Sequence, residues 1–162
     1  MLYQLIDQFH EANTAWAITG DEWSPKFLDM EATAPGFNRG GSEVWLWIKT
    51  VVAADFTTGD ESYQFELRTS GTNDATNLNG TIRDLIMTGI MLGNDARLAT
   101  AGKWILRVGL PMEAALRYWQ LYCDTAGNTP IISVKAGLAP TRSAIPSDKA
   151  IQVLETNVGN PS

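Results

Sequence analysis

The stretch Ser62-Tyr63-Gln64-Phe65-Glu66-Leu67-Arg68-Thr69-Ser70 decides the fold. Tyr63, Phe65, Leu67 and Thr69 alternate with Gln64, Glu66 and Arg68, the period of two that turns one face of a strand to a core and the other to water. Working outward, Glu43 to Ala53 reads as a longer strand with Val44, Leu46 and Ile48 on its core side. Thr57-Thr58-Gly59-Asp60 supplies turn residues between the two, so a hairpin is expected there. On the other side, Gly71-Thr72-Asn73-Asp74 through Asn79-Gly80 is a polar loop, and a third strand is expected near Ile82 to Ile90.

Further along, Lys103 to Leu110 alternates Trp104, Leu106 and Val108 against Lys103, Arg107 and Gly109, and stops at Pro111. Pro111 to Tyr122 mixes helix formers with an aromatic run and is read as a bent loop followed by a strand. Asp124 to Asn128 reads as a turn, and Pro130 to Leu138 alternates Ile132, Val134 and Ala136 against Ser133 and Lys135, which predicts a closing hairpin. Repeated short strands without a long helical pattern predict an all-β fold: one domain, a β-sandwich or jelly roll, with an up-and-down barrel as the alternative. The expected organisation is an N-terminal arm over residues 1–20, a β domain over 21–138 and an extended C-terminal tail over 139–162.

At 162 residues the chain has the length of one ordinary domain. Twelve basic against 18 acidic residues give a formal charge of −6, which opposes binding to a phosphate backbone and makes nucleic acid an unexpected partner. The one cysteine, Cys123, excludes an internal disulfide framework. Between Met1 and Asp21 there is no Lys or Arg and no long apolar run, so no secretory n-region and no membrane partner are expected, and assembly in a cytoplasm is.

Catalytic chemistry finds little purchase. A cupin-type centre needs two or three histidines and a carboxylate around its metal, and the chain has one histidine, His10, read as a surface or interface residue. Cys123 lies in an aromatic strand where cysteine ordinarily serves as a small buried hydrophobe, and no serine stands in a Gly-x-Ser-x-Gly elbow. The Asp74, Asn77, Asn79, Gly80 loop lacks the spacing of a calcium loop, and its side chains are expected to satisfy local backbone groups. No catalytic residue, metal or cofactor is expected.

The anomaly is an apolar excess on both faces of the strands. If Val44, Leu46 and Ile48 fill the core, Trp45 and Trp47 point outward together, and Trp104-Ile105-Leu106 and Tyr118-Trp119-Gln120-Leu121-Tyr122 pose the same problem. Either the chain's own loops cover them or another molecule does. The two ends carry further apolar groups, Leu2, Leu5, Ile6 and Phe9 at one and Ile151, Val153 and Leu154 at the other. The candidate interface residues are therefore Leu5, Phe9, Trp45, Trp47, Ile151 and Leu154.

Phe27-Leu28-Asp29-Met30 after a Pro-marked turn, Glu66-Leu67-Arg68-Thr69-Ser70, Arg117-Tyr118-Trp119-Gln120-Leu121 and the closing Ala136-Gly137-Leu138 follow one another in an order and spacing that resembles the jelly-roll capsid cement, or decoration, proteins of tailed bacteriophages. The resemblance extends over about two thirds of the chain; the tail from Ala139 to Ser162 and the six tryptophans depart from the pattern. It implies a non-enzymatic virion protein that self-associates as a dimer or trimer and clamps the outer surface of a shell built from major capsid protein, stabilising it. A carbohydrate- or receptor-binding module is the competing expectation, because Trp and Tyr on a β face can stack on sugar rings.

Overall fold

The computed structural model describes residues 9–10, 14–30, 44–110, 116–139, 142 and 145. Its strands are β1 (Trp16–Ile18), β2 (Glu22–Trp23), β3 (Leu28–Asp29), β4 (Trp45–Val52), β5 (Ser62–Ser70), β6 (Thr72–Asn73), β7 (Leu78–Asn79), β8 (Arg83–Met87), β9 (Met91–Leu92), β10 (Trp104–Gly109), β11 (Tyr118–Ala126) and β12 (Ile132–Ala139). There is no α-helix among the described residues, and no helix there long and apolar enough to cross a membrane. All pairings are antiparallel. Sheet A runs β1-β12-β4-β10; sheet B runs β2-β11-β5-β8, with β3 also on β11 and β9 also on β5; β6 and β7 form a small separate hairpin.

The two sheets form an all-β sandwich around one core. Sheet B contributes Tyr63, Phe65 and Leu67 from β5 and Trp119, Leu121 and Cys123 from β11; sheet A contributes Leu46 and Ile48 from β4 and Ile132, Val134, Ala136 and Leu138 from β12. Each set obeys the period of two, so the inner face is apolar at every second residue. Trp16 of β1 meets Phe65 edge to face across the layers, with centroids 6.4 Å apart.

Neither expected hairpin forms. β4 pairs with β12 and β10, whereas β5 pairs with β11, β8 and β9, so the 53–61 connection crosses from sheet A to sheet B. The connection after β11 likewise crosses back, because β12 joins β4 and not β11. The first connection is too long for a two-residue turn, and its polar groups are used elsewhere: Ala54 N–H donates to Leu98 O, Asp55 N–H to Ile131 O, and Glu61 accepts from the N–H groups of Thr58 and Gly59. The two crossings lie side by side as a pair of arches.

Tyr63 ties the arches together. Its buried hydroxyl accepts from Ile131 N–H at 2.9 Å, and its proton faces the carbonyls of Ile131 at 3.1 Å and Asp55 at 3.3 Å. Desolvation pushes this phenol up to about 12, so the folded state holds its proton more tightly than the unfolded chain does. That contribution is complete below the ordinary tyrosine value near 10 and is lost as pH rises towards 12. Tyr63→Phe leaves the Ile131 N–H without its acceptor and is expected to cost about 1–3 kcal/mol at neutral pH. Urea melts from pH 8 to 11.5 should fall more steeply for the wild type than for the variant; parallel curves would contradict the buried, bonded phenol.

The N-terminal boundary needs correction. β1 lies inside the nominal 1–20 arm, yet it pairs with β12 from Trp16↔Val134 to Ile18↔Ile132 and belongs to sheet A. Phe9, expected at an interface, is buried in the core, its N–H donating to Ala136 O and its carbonyl accepting from Lys26 N–H. His10 is buried beside it and is not a surface residue. At the other end β12 runs through Ala139, the first residue assigned to the tail. The Asp74 loop follows expectation: its carboxylate caps Thr76 N–H and Asn77 N–H, each at 2.8 Å, and so closes the β6–β7 hairpin. Buried Gln120 fastens that hairpin to sheet B, accepting from Leu78 N–H and donating to Ser24 O and Asn77 Oδ1.

Candidate functional site

The outer face of sheet A collects the side chains that the core does not use. Because Leu46 and Ile48 point inward, Trp45, Trp47 and Lys49 point out; because Val134, Ala136 and Leu138 point inward, Lys135, Gly137 and Ala139 point out. Register then fixes three rungs across β12, β4 and β10: Lys135–Lys49–Trp104, Gly137–Trp47–Arg107 and Ala139–Trp45–Gly109. Trp47 and Trp104 meet edge to face at 6.2 Å, and Trp104 carries Lys49 Nζ at 5.1 Å and the Arg107 guanidinium carbon at 5.0 Å from its ring centre.

The expected outward pair is thus on one face, but its two members differ. Trp47 is only 3% exposed, packed under Ala139 and Ile145, so the chain itself covers this ring; Trp45 and Trp104 remain half-buried at its margin. Ile145 N–H donates to Arg142 O. The indole N–H groups of Trp45 and Trp47 are buried and have no acceptor among the described residues. Leu5, Ile151 and Leu154 lie outside the described residues. The cations Lys49, Arg107 and Lys135 were not expected here, since only the pairing of three distant strands brings them to one face.

Charge divides between the sheets. The strands of sheet A carry Lys49, Arg107 and Lys135 and no acidic residue. Those of sheet B carry Glu22, Asp29, Glu66, Asp84 and Asp124 against Arg68 and Arg83. In a chain of formal charge −6, the charged residues on the strands of sheet A are thus all basic.

Sheet B has its own aromatic cluster on its outer face, and it is self-contained. Arg68 lies 4.0 Å over the Tyr122 ring, Trp23 meets that ring edge-on at 5.1 Å, and Arg68 is held by Glu66 and, at 3.2 Å, by Asp84. A sugar platform needs an open ring face, and here a guanidinium occupies it. Cys123 is buried, with desolvation pushing its thiol far up, which removes the thiolate a nucleophile requires. Among the described residues no three His, Cys, Asp or Glu side chains gather into a metal-holding group. No protein-family model matches the chain, and no curated protein matches it.

Proposed function

We propose that this protein is a structural, non-enzymatic virion component that binds the outer surface of a tailed-phage capsid and stabilises the shell of major capsid protein. The observation that carries the reading is the strand order. With β2 and β3 counted as one strand and the β6–β7 hairpin and short β9 set aside, eight principal strands remain, ordered first-eighth-third-sixth in one sheet and second-seventh-fourth-fifth in the other. We read this as a jelly roll, two interleaved Greek keys in which six of the seven connections between principal strands cross from one sheet to the other. That is the fold implied by the resemblance of the Phe27–Met30, Glu66–Ser70, Arg117–Leu121 and Ala136–Leu138 segments to capsid cement proteins. The tryptophans and Arg107 on β4 and β10 support the same reading, because tryptophan and arginine are the residues in which protein interfaces concentrate their binding energy.

The test uses emptied capsids of the phage that encodes the chain, stripped of their decoration. Incubated with the purified protein, they should carry it through a sucrose cushion to a saturable stoichiometry and show added density on the outside at symmetry-related points. Decorated shells should also survive heating by several degrees more than bare ones. A chain left in the supernatant at several-fold molar excess overturns the proposal.

A further inference from the structure

We propose that Asn79 is a site of spontaneous modification, at which the Gly80 backbone nitrogen attacks the Asn79 side-chain amide and the hydroxyls of Ser70 and Thr72 promote the attack. Asn79-Gly80 is the one Asn-Gly pair in the chain. It lies where β7 leaves the β6–β7 hairpin, and both residues are exposed. The attack needs a side-chain carbonyl carbon free to swing towards the next residue's nitrogen. That nitrogen must be unhindered by a side chain of its own and uncommitted to another hydrogen bond. Both conditions are met here. Among the described residues the Asn79 carboxamide has no hydrogen-bond partner, whereas Asn73 Nδ2 donates to Asp74 O and Asn77 Oδ1 accepts from Gln120. The Gly80 N–H likewise engages no acceptor among the described residues. Glycine is held at this position by its φ of +70° and by Thr72 Oγ1, which would lie 2.5 Å from a Cβ.

The peptide between the two residues is also activated. Its oxygen, Asn79 O, accepts from the Ser70 hydroxyl and, at 3.1 Å, from the Thr72 hydroxyl. The nucleophile is the deprotonated amide, whose charge is shared between nitrogen and this oxygen by the same resonance that keeps the peptide planar. Two hydroxyls aimed at that oxygen stabilise the anion and raise its population at neutral pH. In the step itself the Gly80 nitrogen forms a bond to Asn79 Cγ. The Cγ–Nδ2 bond breaks, and Nδ2 leaves as ammonia with the proton that Gly80 gave up. Water then opens the cyclic imide at either carbonyl, giving aspartate or, with the main chain rerouted through Cγ, isoaspartate. Each product adds a negative charge. Isoaspartate also lengthens the main chain by a methylene, next to the contacts of Leu78 and Asn77 with Gln120 that fasten the hairpin to sheet B.

The full chain, aged for weeks at 37 °C between pH 6 and 9, should accumulate a more acidic isoform on isoelectric focusing. Peptide mapping should place aspartate and isoaspartate at position 79, formed faster than at exposed Asn94 and Asn128, which precede Asp95 and Thr129. The rate should rise with pH, because the amide must first lose its proton. Ser70→Ala and Thr72→Val should each slow the conversion about threefold to tenfold, the range for one hydrogen bond, and displace the rate profile to higher pH. A merely structural role for the hydroxyls gives the opposite sign, since freeing the Asn79 carbonyl loosens the hairpin and speeds the attack. Ageing the wild type in concentrated urea supplies a reference that depends on no variant folding. There the hydroxyls are no longer held on the carbonyl, so conversion at position 79 should be slower than in the folded chain. An Asn79 that ages no faster than Asn94 and Asn128 in the folded protein overturns the site. Variants that age as fast as the wild type or faster, or an unfolded chain that outpaces the folded one, overturn the part given to Ser70 and Thr72.

Discussion

Replacing Phe65 by Ala is expected to destabilise the fold by about 3–5 kcal/mol, the range for emptying a large aromatic site in a packed core. The ring is 1% exposed and stands midway along β5, the strand that holds together β11, β8 and β9. It also reaches across the sandwich to Trp16, so the cavity opens against β1, a three-residue strand with little else to fix it. The backbone at this position is pinned on both sides of the peptide, with Phe65 N–H donating to Thr88 Oγ1 and Phe65 O accepting from Thr88 N–H. Collapse of the site is therefore resisted, which places the cost in the upper half of the range. Equilibrium urea unfolding checks this: the midpoint should fall while the slope stays constant. A change below about 0.5 kcal/mol, the ordinary range for surface positions, would contradict the inward orientation of Tyr63, Phe65 and Leu67.

That orientation was legible because alternation is a local property. Ser62 to Ser70 and Ile132 to Ala139 form strands with the faces that the period of two gives them, and Trp45 and Trp47 share a face because strand geometry leaves them no choice. Trp104 to Gly109 is a strand, but the expected face of Trp104, Leu106 and Val108 is corrected: an irregularity between Trp104 and Leu106 breaks the alternation, so Trp104 joins Trp47 on the outer face while Ile105, Leu106 and Val108 pack on the core. Pairing is not local. The Thr57-Thr58-Gly59-Asp60 run has turn chemistry in either topology, and nothing in it distinguishes a hairpin from an arch. What decides the matter is contacts with Leu98 and Ile131, far along the chain. Phe9 and His10 were misjudged for a related reason: a two-turn apolar stripe reads as an arm until β12 and the segment around Lys26 supply the backbone partners that hold Phe9 in the core.

The candidate face shows the same division. Its tryptophans could be read from β4 alone, but its charge could not, since Lys49, Arg107 and Lys135 are separated by dozens of residues and meet only when β10, β4 and β12 align. The segregation of basic residues to sheet A and of most acidic ones to sheet B is a property of strand order. Composition, which reports only the sum, reads as uniformly acidic.

The second large effect is expected at Gly127, where Ala should cost about 3 kcal/mol. Two penalties add there. The backbone has φ +93°, a conformation in which a side chain costs roughly 1 kcal/mol, as at any left-handed or related glycine site. In addition, a Cβ at this position would lie 2.6 Å from Asp60 O and 2.7 Å from Glu61 Cα, atoms of the neighbouring arch's backbone that have no rotamer by which to withdraw. Overlap of that kind typically adds about 1–3 kcal/mol. The contact is also where the arches are bonded, Asn128 N–H donating to Asp60 Oδ1 at 3.3 Å, so pushing them apart weakens what joins β11 to β12 on one side and β4 to β5 on the other. Gly59 provides the control: its φ is +82° and the space around its missing Cβ is empty, so Gly59→Ala incurs the conformational penalty alone and should cost about 1 kcal/mol. Thermal and urea melts of the two variants side by side therefore measure the overlap by difference. Equal losses at the two sites would mean that the arches do not touch at Gly127, and with that contact would go the account of why the chain crosses between sheets where its turn residues alone permit a hairpin.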